Sequence, residues 1–399
     1  MSILSESLSR IKPSPTMAVV KKATELKSAG KDIISLGAGE PDFDTPENIK
    51  QAAIQAIKDG RTKYTVVDGT IELKRAVIGK FKRENNLIYN EKQVSVGVGG
   101  KHVIFNAILA TINPGDEVLI PAPYWVSYPD IVLLAGGTPV IVECEESADF
   151  KILPEQIEKN VTKNTKWIIL NSPSNPTGSV YSEQELKAIG EVLKKFPNVY
   201  IMSDDIYEHV LYTKNNFFTI AQIPELFSRT LTINGLSKSY AMTGWRVGYA
   251  GGPENIIQGI AKIQSQSTTN TSSISQAAAE EALNGTQNFI KIRSDAFKER
   301  RDFVVKKLNS IKGLSCKNPE GAFYVFPSCK DCIGKKDVNK KEIINDTDFV
   351  TSLLENTGVA VVQGSAFGKE GYFRISYATS LKNLSKALDK IEEYCKQLS

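Results

Sequence analysis

Apolar residues fall into two successive rhythms along this chain. From about residue 44 to 285, short and nearly continuous apolar runs alternate with stretches in which apolar positions recur every three or four residues. The runs at 93–98, 117–120, 138–142, 166–171, 200–203, 230–234 and 247–250 predict strands. Several lack polar alternation, which predicts burial on both faces. Segments 102–112 and 183–196 predict amphipathic helices between them. Ahead of the first strand, Thr45-Pro46 predicts a cap and first-turn proline, then a helix with Ile49, Ala53, Ile54 and Ile57 on one face. Strands alternating with helices imply right-handed crossovers and a mostly parallel, seven-stranded sheet flanked by helices, an α/β fold. Ligands of such sheets bind beyond the carboxyl ends of the strands.

After Gly285 the rhythm changes. A long amphipathic stretch runs over 286–311, followed by a strand at 322–326 and a lysine-rich insert at 330–341. A helix near 346–356, short strands and a terminal helix from Leu381 complete the chain. This predicts a smaller α+β domain over 286–399 beside a large domain over 44–285. Residues 1–43 are expected to join the small domain, and Pro13, Pro15 and Pro41 predict that this segment is extended rather than helical. Two domains also suit the length, since 399 residues exceed the ~250–300 at which single cores stop growing.

Composition narrows the function classes. The net charge is only +4 and no long basic run occurs, so neither nucleic acid nor a membrane surface is an expected partner. No apolar run reaches the ~18 residues of a membrane span. Residues 1–16 lack an apolar signal region, which predicts a cytoplasmic protein. The five cysteines are odd in number and scattered, arguing against a disulfide framework. Cys329-Lys330-Asp331-Cys332 is a CxxC, readable as half a zinc site or a redox pair. No second CxxC or histidine pair accompanies it, so no metal site is expected.

The chemistry-bearing positions cluster at strand ends. Lys238 follows the run 230–234 and the Asn234-Gly235 turn. A lysine alone is ordinarily a surface residue. Its surroundings, Ser237-Lys238-Ser239-Tyr240-Ala241-Met242-Thr243-Gly244-Trp245-Arg246, resemble the cofactor-lysine signature of class I pyridoxal-phosphate aminotransferases. Asn171-Ser172-Pro173-Ser174-Asn175-Pro176-Thr177-Gly178 is similar to that family's NPxG turn. Ser203-Asp204-Asp205-Ile206-Tyr207 resembles its Asp-x-x-Tyr, and Phe373-Arg374-Ile375-Ser376-Tyr377 its carboxylate-binding segment. Order and intervals agree over nearly the whole chain. The bacterial subgroup of aspartate aminotransferases, some of which also act on prephenate, is the nearest resemblance. It implies the fold-type I architecture, pyridoxal 5′-phosphate as cofactor, and small amino and keto acids as substrates.

Each implied role has a chemical reason. A neutral lysine amine must attack an aldehyde and later move a proton, the role implied for Lys238. A carboxylate must keep the cofactor's ring nitrogen protonated; the family register favours Asp204 over adjacent Asp205. Asn175 and Tyr207 would donate to the ring's phenolic oxygen, and Trp125 would stack on the ring. Gly97-Val98-Gly99-Gly100-Lys101 follows a strand and opens a helix, so Gly99, Gly100 and Lys101 would face the phosphate at a helix N-terminus. Arg246 and Ser237 would add donors. Tyr64 resembles a tyrosine that reaches the neighbouring subunit's phosphate, implying a homodimer with shared sites.

For the substrate, Arg374 and the backbone of Gly39 are the implied α-carboxylate donors. Trp125 and Asn175 would also face substrate. No second arginine suits the side-chain carboxylate, because 264–275 offers serines, threonines and Asn270. Lys101, Ser14 and Thr16 match that role in the bacterial subgroup, and Lys12 and Thr16 match positions linked there to prephenate. The expected reaction is ping-pong transfer of an amino group from aspartate or glutamate to a 2-oxo acid. A lyase on the same cofactor is the alternative enzyme, and a non-catalytic binding protein a third reading.

Overall fold

The computed structural model describes residues 3–13 and 15–399, without the side chains of residues 15–18 and 20. At its centre is a seven-stranded sheet in the order Val94–Gly97, Gly248–Gly251, Thr230–Gly235, Tyr200–Asp204, Thr165–Asn171, Glu117–Ala122, Thr138–Glu143. All neighbours are parallel except Gly248–Gly251, which is antiparallel to both strands beside it. The reason is local. The connection 236–247 contains turns but no crossover helix, so the chain must return antiparallel. That connection carries Lys238.

The expected double burial is visible residue by residue. Trp167 and Ile169 point into a core shared with the helices Gly100–Thr111 and Glu254–Ser265. Their neighbours Ile168 and Leu170 point into the opposite core, against Glu183–Lys194. Side chains alternate across a strand, so each face of the sheet acquires its own apolar layer.

A further core forms from the two ends of the chain. Ile34–Ser35 pairs in parallel with Val359–Ala360. Ile34 and Leu36 pack with Val359, Phe373 and Leu388. A three-stranded antiparallel sheet, Val362–Gln363, Phe373–Ser376 and Tyr324–Val325, adjoins it. The helices Asn288–Leu308, Asp346–Thr357 and Leu381–Gln397 contribute to the same core. No described helix is long and apolar enough to cross a membrane.

Two local expectations are corrected. The N-terminal segment is not extended: Glu6–Arg10 forms a 3-10 turn and Pro15–Ser28 an α-helix. Pro15 occupies the first helical position, where a missing N–H costs nothing and the fixed φ suits the helix. Thr45 does not cap the helix Glu47–Lys58; its hydroxyl donates to Ala241 O at 2.7 Å. That helix buries Ile49, Ala53 and Ala56, leaving Ile54 and Ile57 exposed.

Candidate active site

Parallel pairing of Tyr200–Asp204 with Thr230–Gly235 brings their carboxyl ends to one edge, with Asp204 opposite Ile233. A cavity of about 420 Å³ opens there. Of the positions singled out above, Gly39, Gly100, Lys101, Trp125, Asn175 and Asp204 line it. So do Tyr207, Ser237, Lys238, Arg246 and Arg374.

Lys238 and Asp204 belong to the floor. Lys238 Nζ donates to Gly39 O at 2.6 Å and lies 5.8 Å from the centre of the Tyr207 ring. Burial pulls its pKa down to about 8, and the Arg374 and Arg246 guanidiniums push the same way, against Glu40 and Asp204. Asp204 is buried. Tyr128 Oη donates to its Oδ2 at 2.5 Å, and Asn171 Nδ2 donates to its backbone oxygen at 2.8 Å. Burial raises the Asp204 carboxyl even so, and it has no salt bridge among the described residues. Asp205, the competing acid, does not line the cavity. It accepts from Ser203 Oγ at 2.7 Å, and burial pushes it up to about 7.

One wall is aromatic. Trp125 meets the Tyr128 ring edge-on at 5.2 Å, and Lys101 Nζ sits 4.9 Å from the Trp125 ring. Burial, then Arg246, lowers the Lys101 pKa. The cavity is also lined by Tyr207 and Tyr324, whose hydroxyls are 2.8 Å apart.

Two cationic regions, at Arg246 and at Arg374, also line the cavity. Gly99 caps the helix Gly100–Thr111 at φ 84°, a left-handed conformation that glycine adopts at no steric cost. A Cβ on Gly99 would come 2.3 Å from Arg246 Nη2, so glycine is what lets the guanidinium approach the helix start. The first amides of that helix have no intrahelical acceptor, which with the dipole makes a seat for an anion. Arg374 is buried. Its Nη1 donates to Asn175 Oδ1 at 2.8 Å, its Nη2 to Gly37 O at 2.6 Å, and its Nε has no partner. The Tyr324 and Phe367 rings hold it at 4.6 and 4.9 Å.

Among the lining residues to which the sequence reading gave no role, five are polar: Glu40, Tyr128, Asn171, Thr243 and Tyr324. Tyr128 follows Trp125 by one helical turn, a spacing that puts both on one side. Tyr324 lies inside the expected strand at 322–326, where nothing local marked its hydroxyl. Conversely, Tyr64 is 88% exposed on this chain, and Lys12 is exposed outside the cavity. Ser14 and the Thr16 side chain lie outside the described residues.

The family model described as aminotransferase class I and II matches residues 31–391. A relative from Cereibacter sphaeroides, named aspartate/prephenate aminotransferase, is 58% identical, each chain covered completely. Among solved structures, the aspartate aminotransferase from Rhizobium meliloti superposes with a TM-score of 0.97 at 50% identity, covering all of both chains. That of Thermus thermophilus, solved with maleate, gives 0.93 at 41% identity, covering 99% of this chain and all of the other.

Proposed function

Because the chain belongs to the class I and II aminotransferases, we propose that it uses pyridoxal 5′-phosphate to move the amino group of L-aspartate or L-glutamate to a 2-oxo acid. The observation that carries the reading is that Lys238 and Asp204 line one cavity together with Arg246 and Arg374, which mark two seats for anions. The residues fit the cofactor. Asp204 is a buried carboxylate without a salt bridge among the described residues, suited to a protonated ring nitrogen. The Gly99–Gly100 cradle with Arg246 and Ser237 suits a phosphate. Trp125 offers a flat apolar face, and Asn175 and Tyr207 offer donors.

When bound, the cofactor would supply an electron-withdrawing ring. The chain's own groups do the rest. Lys238 would hold the cofactor and would move the proton at the substrate Cα. Its depressed pKa keeps a useful fraction of neutral amine near pH 8. Asp204 holds the ring nitrogen protonated from its buried position. Arg374, with its fork fixed by Asn175 and Gly37, takes the α-carboxylate. Lys101 beside Trp125 takes the distal carboxylate, which selects dicarboxylic acids. Prephenate is a second acceptor, in line with the name of the Cereibacter relative, and Lys12 and Thr16 are its candidate contacts.

Assembly and organisation belong to the same proposal. Tyr64, with exposed Ile54, Ile57 and Val66 nearby in sequence, supports a homodimer in which Tyr64 serves the other subunit's phosphate seat. Pairing of Ile34–Ser35 with Val359–Ala360 supports joining residues 1–43 to a small domain at 286–399, beside a large domain at 44–285. Five free, buried cysteines suit the cytoplasm.

Incubation with aspartate and 2-oxoglutarate tests the reaction. Glutamate and oxaloacetate are the expected products. Pyruvate and ammonia, or a decarboxylated amine, would replace this proposal with the lyase alternative.

A further inference from the structure

The Tyr207–Tyr324 pair is a buried contact between two hydroxyls, each with a single proton. Only one of them can donate across the 2.8 Å gap. If Tyr207 donated, its proton would be spent inside the wall. If Tyr324 donates, the Tyr207 proton stays free for the cavity it lines. The surroundings favour the second arrangement. Burial raises both phenols, Tyr207 the further of the two, and the Arg374 guanidinium, 4.6 Å from the Tyr324 ring, offsets part of the rise at Tyr324, which leaves Tyr324 the more acidic phenol and the better donor. The hydroxyl is also sterically confined. A Cβ on Gly39 would come 2.7 Å from Tyr324 Oη, so the space beside the lysine's acceptor is open only because residue 39 is glycine.

We propose that Tyr324 is a positioning residue for the reaction: its hydroxyl donates to Tyr207 and thereby aims the one Tyr207 proton at the phenolic oxygen of the cofactor. This rests on the pyridoxal-phosphate reading. Hydrogen bonds in series polarise one another, so Tyr207 becomes the stronger donor and the phenolic oxygen is better held as an anion. The backbone ties this to substrate binding. Ser376 pairs with Tyr324 and Ile375 with Val325, so Tyr324 and Arg374 ride on two hydrogen-bonded strands. A carboxylate that draws on Arg374 therefore acts on the same sheet that orients the Tyr324 hydroxyl.

The test is the pH titration of the visible band of the cofactor-loaded protein, run on four proteins: wild type, Tyr324→Phe, Tyr207→Phe and the double variant. Phenylalanine keeps the ring against Arg374. In Tyr324→Phe the midpoint is expected to rise by about half to one pH unit, the equivalent of one modest hydrogen bond. kcat should fall several-fold with KM for aspartate nearly unchanged. In the Tyr207→Phe background, removing the Tyr324 hydroxyl should add nothing. Incorporating 3,5-difluorotyrosine at position 324, a stronger donor in the same volume, should move the midpoint down, which keeps the idea testable if the phenylalanine variant folds poorly. An unchanged midpoint in Tyr324→Phe, or an equal rise with and without the Tyr207 hydroxyl, overturns the proposal. Absence of any Lys238-dependent visible band in the wild type would instead overturn the cofactor reading beneath it.

Discussion

Replacing Arg374 with lysine keeps the positive charge and removes the planar fork. In the native site Nη1 and Nη2 are committed to Asn175 and Gly37, two aromatic rings fix the plane, and Nε is left without a partner. A substrate carboxylate thus meets donors already aligned. An ammonium at the end of a flexible stem cannot serve Asn175 Oδ1, Gly37 O and both carboxylate oxygens along one plane. Losing one hydrogen bond to a charged group costs about 1.5–3 kcal/mol. At about 1.4 kcal/mol per factor of ten, kcat/KM should fall roughly ten- to 150-fold. Because every amino acid carries the α-carboxylate, the factor should be the same for aspartate, glutamate and alanine. Steady-state kinetics with the three donors decides the matter. A loss confined to aspartate and glutamate would mean that Arg374 meets the distal carboxylate. A loss of less than about threefold for all three, under half the energy of one ordinary tenfold step, would mean that it touches no substrate.

Lys101→Met should show the complementary pattern: aspartate and glutamate lose about ten- to a hundredfold in kcat/KM, as expected for one partly buried charge pair, while alanine is unaffected. Equal losses for all donors would remove Lys101 from the specificity role. The amine of Lys238 is protonated and inert below its pKa, so capture of pyridoxal phosphate by the cofactor-free protein should speed up with pH and level off above about 8. A stopped-flow absorbance profile with its inflection at the ordinary lysine value of 10.5 would contradict the burial argument. Lys80 is fully buried, bonded to Glu208, 3.5 Å from Glu84 and 2.7 Å from Asn85 Oδ1, so Lys80→Met leaves the buried Glu208 carboxylate with no cation nearer than His209 at 3.7 Å. Calorimetry should show a loss of about 3–5 kcal/mol, partly restored by adding Glu208→Gln; an unchanged Tm would show that the pair contributes nothing.

The same Lys80 cluster marks where sequence reasoning ran out. Glu208 accepts from Asn85 and Asn234 at 2.8 Å each, joining a helix end to both floor strands. The partners lie 123 and 26 residues away from it, and no local pattern pairs them. What was legible had a local physical cause. Nearly continuous apolar runs marked strands buried twice over, and the Asn234-Gly235 turn marked the strand end before Lys238, whereas Asn175 and Asp204 were assigned by resemblance to family motifs. Tyr128 and Tyr324 were invisible because tertiary packing brings their hydroxyls to Asp204 and Tyr207. Proline misled at the N-terminus: Pro15 opens a helix there, since the first helical position needs no N–H. On Glu47–Lys58 the expected face held for Ile49 and Ala53 but not for Ile54 and Ile57, which are exposed while Ala56 faces the core.

The proposed reaction requires a covalent bond between Lys238 and the cofactor, in the cavity that Asp204 also lines. Borohydride reduction of the cofactor-loaded protein, followed by peptide mass spectrometry, examines that bond directly. One pyridoxyl-phosphate adduct is predicted, on the peptide holding Lys238, and none in Lys238→Ala. An adduct on Lys101 or any other lysine with Lys238 unmodified would contradict the assignment.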